Sequence, residues 1–477
     1  MSNEKAEKKV LVDGQEPIDE APKDETKEQA NDESSQVKDH DFYFNFYSSL
    51  QNQANMIGDV ARTGTYRKAI LGNAAVAFAG KTVLDVGAGS GILSYMSAQA
   101  GANQVIALEA SSMAEKIEIM IKAANSGRTN PHLKDRIRIV RGMVENKKVQ
   151  EQVLQTGKVD TIVSEPIGVM LLHERMVESF ILARDLFLKP GGQLLPSAGH
   201  IFFCPFSDEG LYNETDQKAQ FFNNTLFGTD FSELYDAARE EVFGEQPDKL
   251  VLQQHLHLLK LTPSPPLNTL AQPVVGMFPP TSLISTPCPP KSFDFYTCSN
   301  DDLLEFTIPI DFIVSRTSLV HGLASWFDLD FQPRPAPAEE EVNWNFPVAP
   351  NNAWQWMTQE QPLNPGPTPP PPADGLTVTL STGPNVPRTH WQQARLLLPE
   401  PLAVNKGERL TGSIHFKVND ARSYDLFLDL QVNRPGPEWD PNPLKRTAKY
   451  ALQQQCFNYS YNPDANMGTL GFNGLPA

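Results

Sequence analysis

The chain has 477 residues, a formal net charge of −17, 40% hydrophobic and 20% charged residues, and 40 prolines. That length exceeds one small core and predicts two or three compact units. The acidic balance speaks against non-specific binding to nucleic acid or an anionic membrane and favours a cationic partner.

Four scattered cysteines, Cys204, Cys288, Cys298 and Cys456, form no CxxC pair. They argue against a metal site or disulfide framework and fit a reducing compartment. The N-terminus, MSNEKAEKKV, lacks the apolar run of a signal peptide. No apolar stretch reaches the roughly 18 residues that span a bilayer, so a soluble, intracellular protein without membrane contact is expected.

In chain order, residues 1–40 carry 12 Asp/Glu against 6 Lys and few large apolar residues, and are expected to form a disordered acidic tail. An aromatic stretch, DFYFNFYSSL, then leads into a helix through Asp59. From 82 to about 195, the runs TVLDVG, QVIALE, IRIV and DTIVSE read as strands. ILSYMSAQA and ERMVESFILARDLFL read as helices between them, the pattern of a parallel sheet with crossover helices. KPGGQLLP is expected to close this unit as a turn.

Beyond 196, LEFTIPIDFIV, HGLASWFDLDF, RLTGSIHFKV and SYDLFLDLQV alternate as strands of a second, antiparallel β domain. Within it, 211–243 reads as helical. Two proline-rich insertions interrupt it, at about 245–271 and 331–374, the second with 12 prolines. They are expected as exposed loops; the alternative for 331–374 is a polyproline-II ligand for a proline-recognising module. The units are therefore a tail (1–40), an α/β domain with N-terminal helices (41–196), a β domain (197–462) and a C-terminal tail (463–477).

The stretch VLDVGAGSG ends a strand at Asp85 and places Gly87, Gly89 and Gly91 before a helix, where backbone amides face a ligand. GxGxG spacing departs from the dinucleotide fingerprint GxGxxG, which favours a nucleoside without a pyrophosphate. Glu109, at the tip of the next strand, suits both ribose hydroxyls.

SEPIGVMLLHERM places Glu165 and Glu174 nine residues apart around a proline–glycine turn at a strand's carboxyl end. Folded back as a hairpin, the turn aims both carboxylates into one pocket, where they repel unless a cation lies between them. His173 is adjacent, but the rest of the loop is apolar, so no metal is expected. A guanidinium fits: it is planar, stays charged with a pKa above ~12, and offers donors for two carboxylates at once.

These residues resemble the type I protein arginine methyltransferases, most closely the coactivator-associated group. FYFNFY, NMIGDVARTGTY, VLDVGAGSGILS, LEASSMA, SEPIGVMLLHERM, SLVHGLASWFD and THW at 389–391 carry the likeness over roughly 42–432. It implies a Rossmann-like domain binding S-adenosyl-L-methionine, then a β-barrel with a helical dimerisation arm at about 205–245. It implies a homodimer acting on arginine in proteins such as histones, in nucleus and cytoplasm, giving mono- and asymmetric dimethylarginine.

By the same likeness, Glu165, Glu174, His390 and its acid Asp59 are catalytic. Phe44, Gln53, Arg62, Gly87, Glu109, Glu145 and Ser179 contact the cofactor, with Arg62 on its carboxylate and Glu145 beside the adenine. Tyr47, Met56 and Met176 line the arginine pocket. Val169 stands where the family has tyrosine, and His173 where it has asparagine. The alternative reading is a cofactor-binding scaffold that presents its proline-rich insertion to partners.

Overall fold

The computed structural model describes residues 44, 47–244, 270–334, 375–434 and 444–457. The acidic tail, most of both proline-rich insertions and the tail 463–477 lie outside these residues. The chain divides into two units, Met1–Phe46 and Tyr47–Ala477. In the first, the described residue is Phe44, which is helical and half-buried.

In the second unit, helices α1 (Leu50–Gly58) and α2 (Val60–Gly72) meet at Asp59, which caps α2 by accepting the Arg62 amide at 2.9 Å. A strand–helix alternation follows: β1 (Thr82–Val86), α3 (Ile92–Gln99), β2 (Gln104–Glu109), α4 (Met113–Asn125), β3 (Ile137–Arg141), α5 (Lys147–Leu154), β4 (Val159–Ser164), α6 (Met176–Phe187) and β5 (Leu188–Leu195). All five strands pair in parallel, in the order β3-β2-β1-β4-β5. β1, β2 and β4 are buried along nearly their whole length, as apolar strands covered on both faces must be.

The strand order reverses between β1 and β4. Their carboxyl ends therefore border the crevice where open α/β sheets bind ligands.

KPGGQLLP departs from the turn expected of it. Residues 188–195 form β5, an edge strand that tolerates Pro190 because its outer side has no ladder partner to lose.

The rest of the unit is two mostly antiparallel sheets. β6 (Ala198–Phe206) leads to helix α7 (Glu209–Gln220), a hairpin of β7 (Thr225–Leu226) and β8 (Thr229–Asp230), and helix α8 (Tyr235–Phe243). Phe227 and Gly228 turn that hairpin, both with positive φ. The helical reading of 211–243 thus holds for two helices and not for the hairpin between them.

Next come β9 (Val274–Gly276), β10 (Lys291–Asp294), a single helical turn α9 (Asp301–Leu304), β11 (Glu305–Ile313), β12 (Ser318–Phe331), β13 (Val378–Ser381), β14 (Gln393–Val404), β15 (Arg409–Asn419), β16 (Ser423–Asn433), β17 (Lys445–Ala451) and β18 (Cys456–Phe457). One sheet runs β10-β6-β12-β14-β9-β18 with β13 on β12, the other β11-β15-β16-β17. Their inner faces meet in aromatic contacts, Phe293 edge-on to Phe306 at 5.3 Å and Phe203 edge-on to Phe416 at 6.3 Å. An Ala271–Tyr450 bridge joins the sheets at one edge.

Both ends of the 331–374 insertion are pinned. Phe331 pairs with Val378, Gln193 accepts the Arg334 amide at 2.7 Å, and Asn73 accepts the Leu376 amide at 2.6 Å. Among the described residues no helix is long and apolar enough to cross a membrane.

Candidate functional site

Gly87, Gly89 and Gly91 all take left-handed φ, at 73°, 53° and 84°. A Cβ on Gly91 would lie 2.7 Å from the Tyr95 ring, and one on Gly89 3.1 Å from Gln53 Oε1, so glycine is required on both counts. Glu109 holds this loop: its two oxygens accept the Gly89 and Ser111 amides, each at 2.7 Å. From α1, Gln53 accepts the Ser90 amide at 3.1 Å and donates to the Tyr47 carbonyl at 2.9 Å.

Asp85, fully buried at the end of β1, accepts from the Ser94 hydroxyl at 2.6 Å. Burial pushes its carboxyl up to about 7. Its other oxygen, the Tyr95 hydroxyl and Arg62 Nε are buried without hydrogen-bond partners among the described residues.

The loop from Glu165 to Glu174 leaves the carboxyl end of β4 and folds back on itself. A Gly168–Leu171 bridge closes it, and a Cβ on Gly168 would lie 2.1 Å from the His173 carbonyl oxygen. Three of its residues, Met170, Leu171 and Glu174, take positive φ, at 53°, 72° and 75°, as does Arg175 just after it at 56°. Strain of this kind in non-glycine residues gathers at functional sites, where the surroundings hold it in place.

Glu165 pairs with Arg62 at 2.6 Å, the two side chains only 12% and 7% exposed. Its other oxygen accepts the Ile167 amide at 3.2 Å. Burial would lower the pKa of Arg62, but Glu165 outweighs it and the net direction is upward. Glu174 accepts the Tyr47 hydroxyl on both oxygens, at 2.8 and 3.0 Å. The expected repulsion between the two acids is thus met in part by a guanidinium from this chain.

The segment at 389–391 locks onto the same region. His390 donates its amide to Asp59 Oδ2 at 2.8 Å, and its Nδ1 lies 2.8 Å from the same oxygen. Burial raises the Asp59 carboxyl, yet the hydrogen bonds from His390 and the Arg62 amide bring it below its ordinary value. The Tyr66 hydroxyl donates to the Ser164 carbonyl at 3.0 Å, fixing α2 to the end of β4.

At the rim, Ser179 donates to Glu145 at 2.6 Å. The Met176 methyl lies 3.5 Å from where a Cβ of Gly87 would stand, beside the glycine loop. Met56, half-buried in α1, offers its carbonyl to Arg62 at 3.3 Å. Of the two departures from the family pattern, Val169 is buried and His173 contacts Ser423 at 2.9 Å.

The structure therefore brings together Arg62 with Glu165, Tyr47 with Glu174, Gln53 with the glycine loop, Asp59 with His390, and Glu145 with Ser179. Phe44 belongs to the other unit. Asp85, Tyr66, Trp391 and Ser423 were not singled out as site residues. Asp85, Tyr66 and Trp391 lie inside motifs already recognised, whereas Ser423 carries no such signal.

Residues 198–359 and 372–435 match the arginine methyltransferase oligomerization subdomain, and residues 70–195 match the ribosomal protein L11 methyltransferase family. A probable histone-arginine methyltransferase CARM1 of Oryza sativa subsp. indica is 35% identical over 421 residues, 88% of this chain and 64% of that protein. The histone-arginine methyltransferase CARMER of Drosophila erecta is 35% identical over 395 residues, 82% of this chain and 58% of that one. The chain thus spans less than two thirds of the length of these relatives. The Trypanosoma brucei PRMT1 enzyme–prozyme heterotetrameric complex with AdoHcy superposes with a TM-score of 0.59 at 26% identity, covering 85% of this chain and 100% of that one.

Proposed function

Because the chain belongs to the protein arginine methyltransferase family, we propose that it transfers methyl groups from S-adenosyl-L-methionine to arginine nitrogens of proteins, giving mono- and asymmetric dimethylarginine. The observation that carries this reading is the pair Glu165 and Glu174 on one strained hairpin at the reversal of strand order, each held by a separate partner.

The glycine loop fits a nucleoside cofactor with a charged amino acid tail. Its three glycines take left-handed φ that side chains rarely adopt, and the Arg62 Nε and Asp85 oxygen, without partners among the described residues, are polar atoms such a tail would complete. Gly87 and its neighbours would cradle the cofactor, Glu109 would accept the ribose hydroxyls with its remaining lone pairs, and Glu145 with Ser179 would face the adenine. Arg62 would meet the carboxylate, and Gln53 would complete the enclosure. When bound, the cofactor supplies an electrophilic methyl on a sulfonium.

The chain's own residues do the rest. Glu165 and Glu174 grip the guanidinium, draw its charge away from the attacking nitrogen and aim that nitrogen's lone pair. Positioning of this kind supplies ~7–11 kcal/mol in favourable cases. Tyr47 sets the angle of Glu174, and Arg62 with the Ile167 amide sets that of Glu165. Met56 and Met176 wall the pocket beside them. His390, oriented through Nδ1 by Asp59, presents Nε2 to the proton that the alkylated nitrogen releases.

Histones are the proposed substrates, by likeness to the histone-arginine methyltransferase relatives, which would put the reaction in the nucleus, with a cytoplasmic pool alongside. A homodimer is proposed through the α7–α8 arm, whose outer end exposes Phe221, Phe227 and Leu234. The segment 331–374, with its run PGPTPPPP, is proposed as a ligand for a proline-recognising module.

The test is incubation with labelled S-adenosyl-L-methionine and a panel of arginine-rich peptides and histones. Mass spectrometry resolves mono-, asymmetric and symmetric dimethylarginine, with Glu174→Gln as control. Asymmetric product that disappears in the variant is expected; cofactor binding with no product from any arginine would overturn the reading and favour the scaffold.

A further inference from the structure

Glu174 holds its left-handed backbone, φ 75° and ψ −12°, immediately before Arg175 at φ 56°. Two successive left-handed residues with side chains need support from outside their own loop. Local support comes from Gly168 under the His173 carbonyl and from Arg175, which grips Glu178 at 2.6 and 2.9 Å.

The remaining support comes from the other domain. The turn between β15 and β16 delivers two residues to this point of the hairpin. Arg422 donates to the Glu174 carbonyl at 3.4 Å, and the Ser423 hydroxyl meets His173 Nδ1 at 2.9 Å. Ser423 is fully buried. Burial also pushes the His173 imidazole down to about 4, so the pair works as two neutral groups at physiological pH.

The turn itself is braced. Asn419 accepts the Ala421 and Ser423 amides at 3.1 and 3.2 Å and donates to Asp425 at 2.8 Å and Gln453 at 2.9 Å. It is therefore a stiff corner bearing on the residue next to the second glutamate.

We propose that the Arg422–Ser423 corner of the β domain is a positioning element for Glu174, acting through His173 and the Glu174 carbonyl to hold the carboxylate's aim. The inference rests on the arginine-gripping role given to Glu174. Ser423, fully buried, acts through His173 and the backbone of the hairpin.

The test uses the full chain with Ser423→Ala, Ser423→Thr, His173→Leu, His173→Asn and the Ser423→Ala/His173→Leu double variant. Three readouts are taken: kinetics on an arginine peptide, affinity for S-adenosylhomocysteine by calorimetry, and amide hydrogen exchange across 168–175. Ser423→Ala and His173→Leu should each lower kcat/KM for the peptide about 5-fold, the effect of one lost hydrogen bond, with cofactor affinity unchanged. The double variant should be no worse than either single one, since both remove the same contact. Ser423→Thr and His173→Asn should recover most of the loss, and exchange across 168–175 should quicken only in the Ala and Leu variants.

Wild-type kinetics and unaltered exchange in those variants would overturn the proposal, as would losses that add in the double variant. A wild-type protein that methylates no arginine would defeat the functional reading alone. The exchange comparison would then still decide whether the corner holds the hairpin.

Discussion

The indole Nε1 of Trp391 donates to the backbone carbonyl of Ile167 at 3.1 Å, joining the β domain to the loop between the two glutamates. The same ring packs edge-on to Phe327 at 5.4 Å and is almost fully buried. Trp391→Phe should keep the packing and leave the carbonyl without its donor. An unsatisfied buried acceptor costs about 1–3 kcal/mol. A lower Tm and a several-fold fall in kcat/KM, larger than the change in cofactor affinity, are expected from calorimetry and initial rates.

The two glutamates should part company in stability. Glu165→Gln leaves the buried Arg62 without its carboxylate, and breaking a buried ion pair costs about 3–5 kcal/mol. Glu174→Gln keeps an oxygen to accept the Tyr47 hydroxyl, so its melting point should stay nearer that of the wild type. Both should lose at least nine tenths of turnover. Equal Tm values for the two variants would contradict the pairing described here.

Asp85 predicts a pH dependence of stability. Its carboxyl, ordinarily at 3.8, is raised by burial to about 7. The folded state thus holds a proton that the unfolded state gives up, so the benefit is complete below the unfolded value and is lost as pH climbs through the folded one. Asp85→Asn should gain on the wild type from about pH 4 to about pH 7 and hold its lead above that, with an upper limit of ~4 kcal/mol for about three pKa units. Thermal melts across that range test it; a pH-independent difference would exclude the proton as the cause.

The arm makes a prediction about assembly. Deleting 211–243 outright would also remove Leu211 and Phe243, which share a buried apolar cluster with Phe206 and Val274. A cleaner probe is Phe227→Glu with Phe221→Ser at the exposed outer end. Sedimentation should show a folded monomer with little activity; a dimer that survives both changes would place the interface elsewhere.

Replacing 335–374 with a short turn should leave the fold and the methyl transfer intact, because the stems are already joined. A Cβ on Gly375 would lie 2.3 Å from Pro333, and Phe331 pairs with Val378. Circular dichroism and initial rates check this, and a loss of solubility or turnover would give the insertion a part in the folded core.

What the sequence made legible was local. The glycine loop, the strand ending in Glu109 and the proline–glycine hairpin are each written in a few consecutive residues whose backbone demands show in their type. β5 was misread because proline and glycine signal a turn unless one knows the strand lies at an edge, which is a property of the whole sheet. The break in the arm was missed because a two-residue turn through Phe227 and Gly228 is faint inside a helical pattern. Arg62 was placed by its motif, but its pairing with Glu165 spans 103 positions and the His173–Ser423 contact spans 250. Such partners are chosen by topology, and no short-range pattern announces them.

The strand order has a further consequence for the time course of synthesis. A growing chain that has made β1, β2 and their glycine loop already holds the parts that would recognise a nucleoside. The hairpin of the two glutamates must first dock beside β1, and then wait more than two hundred residues for Trp391 and Ser423 to brace it. The bracing of that hairpin is thus written late in the chain, and a prematurely ended copy would carry the glycine loop without the braces for Glu165 and Glu174.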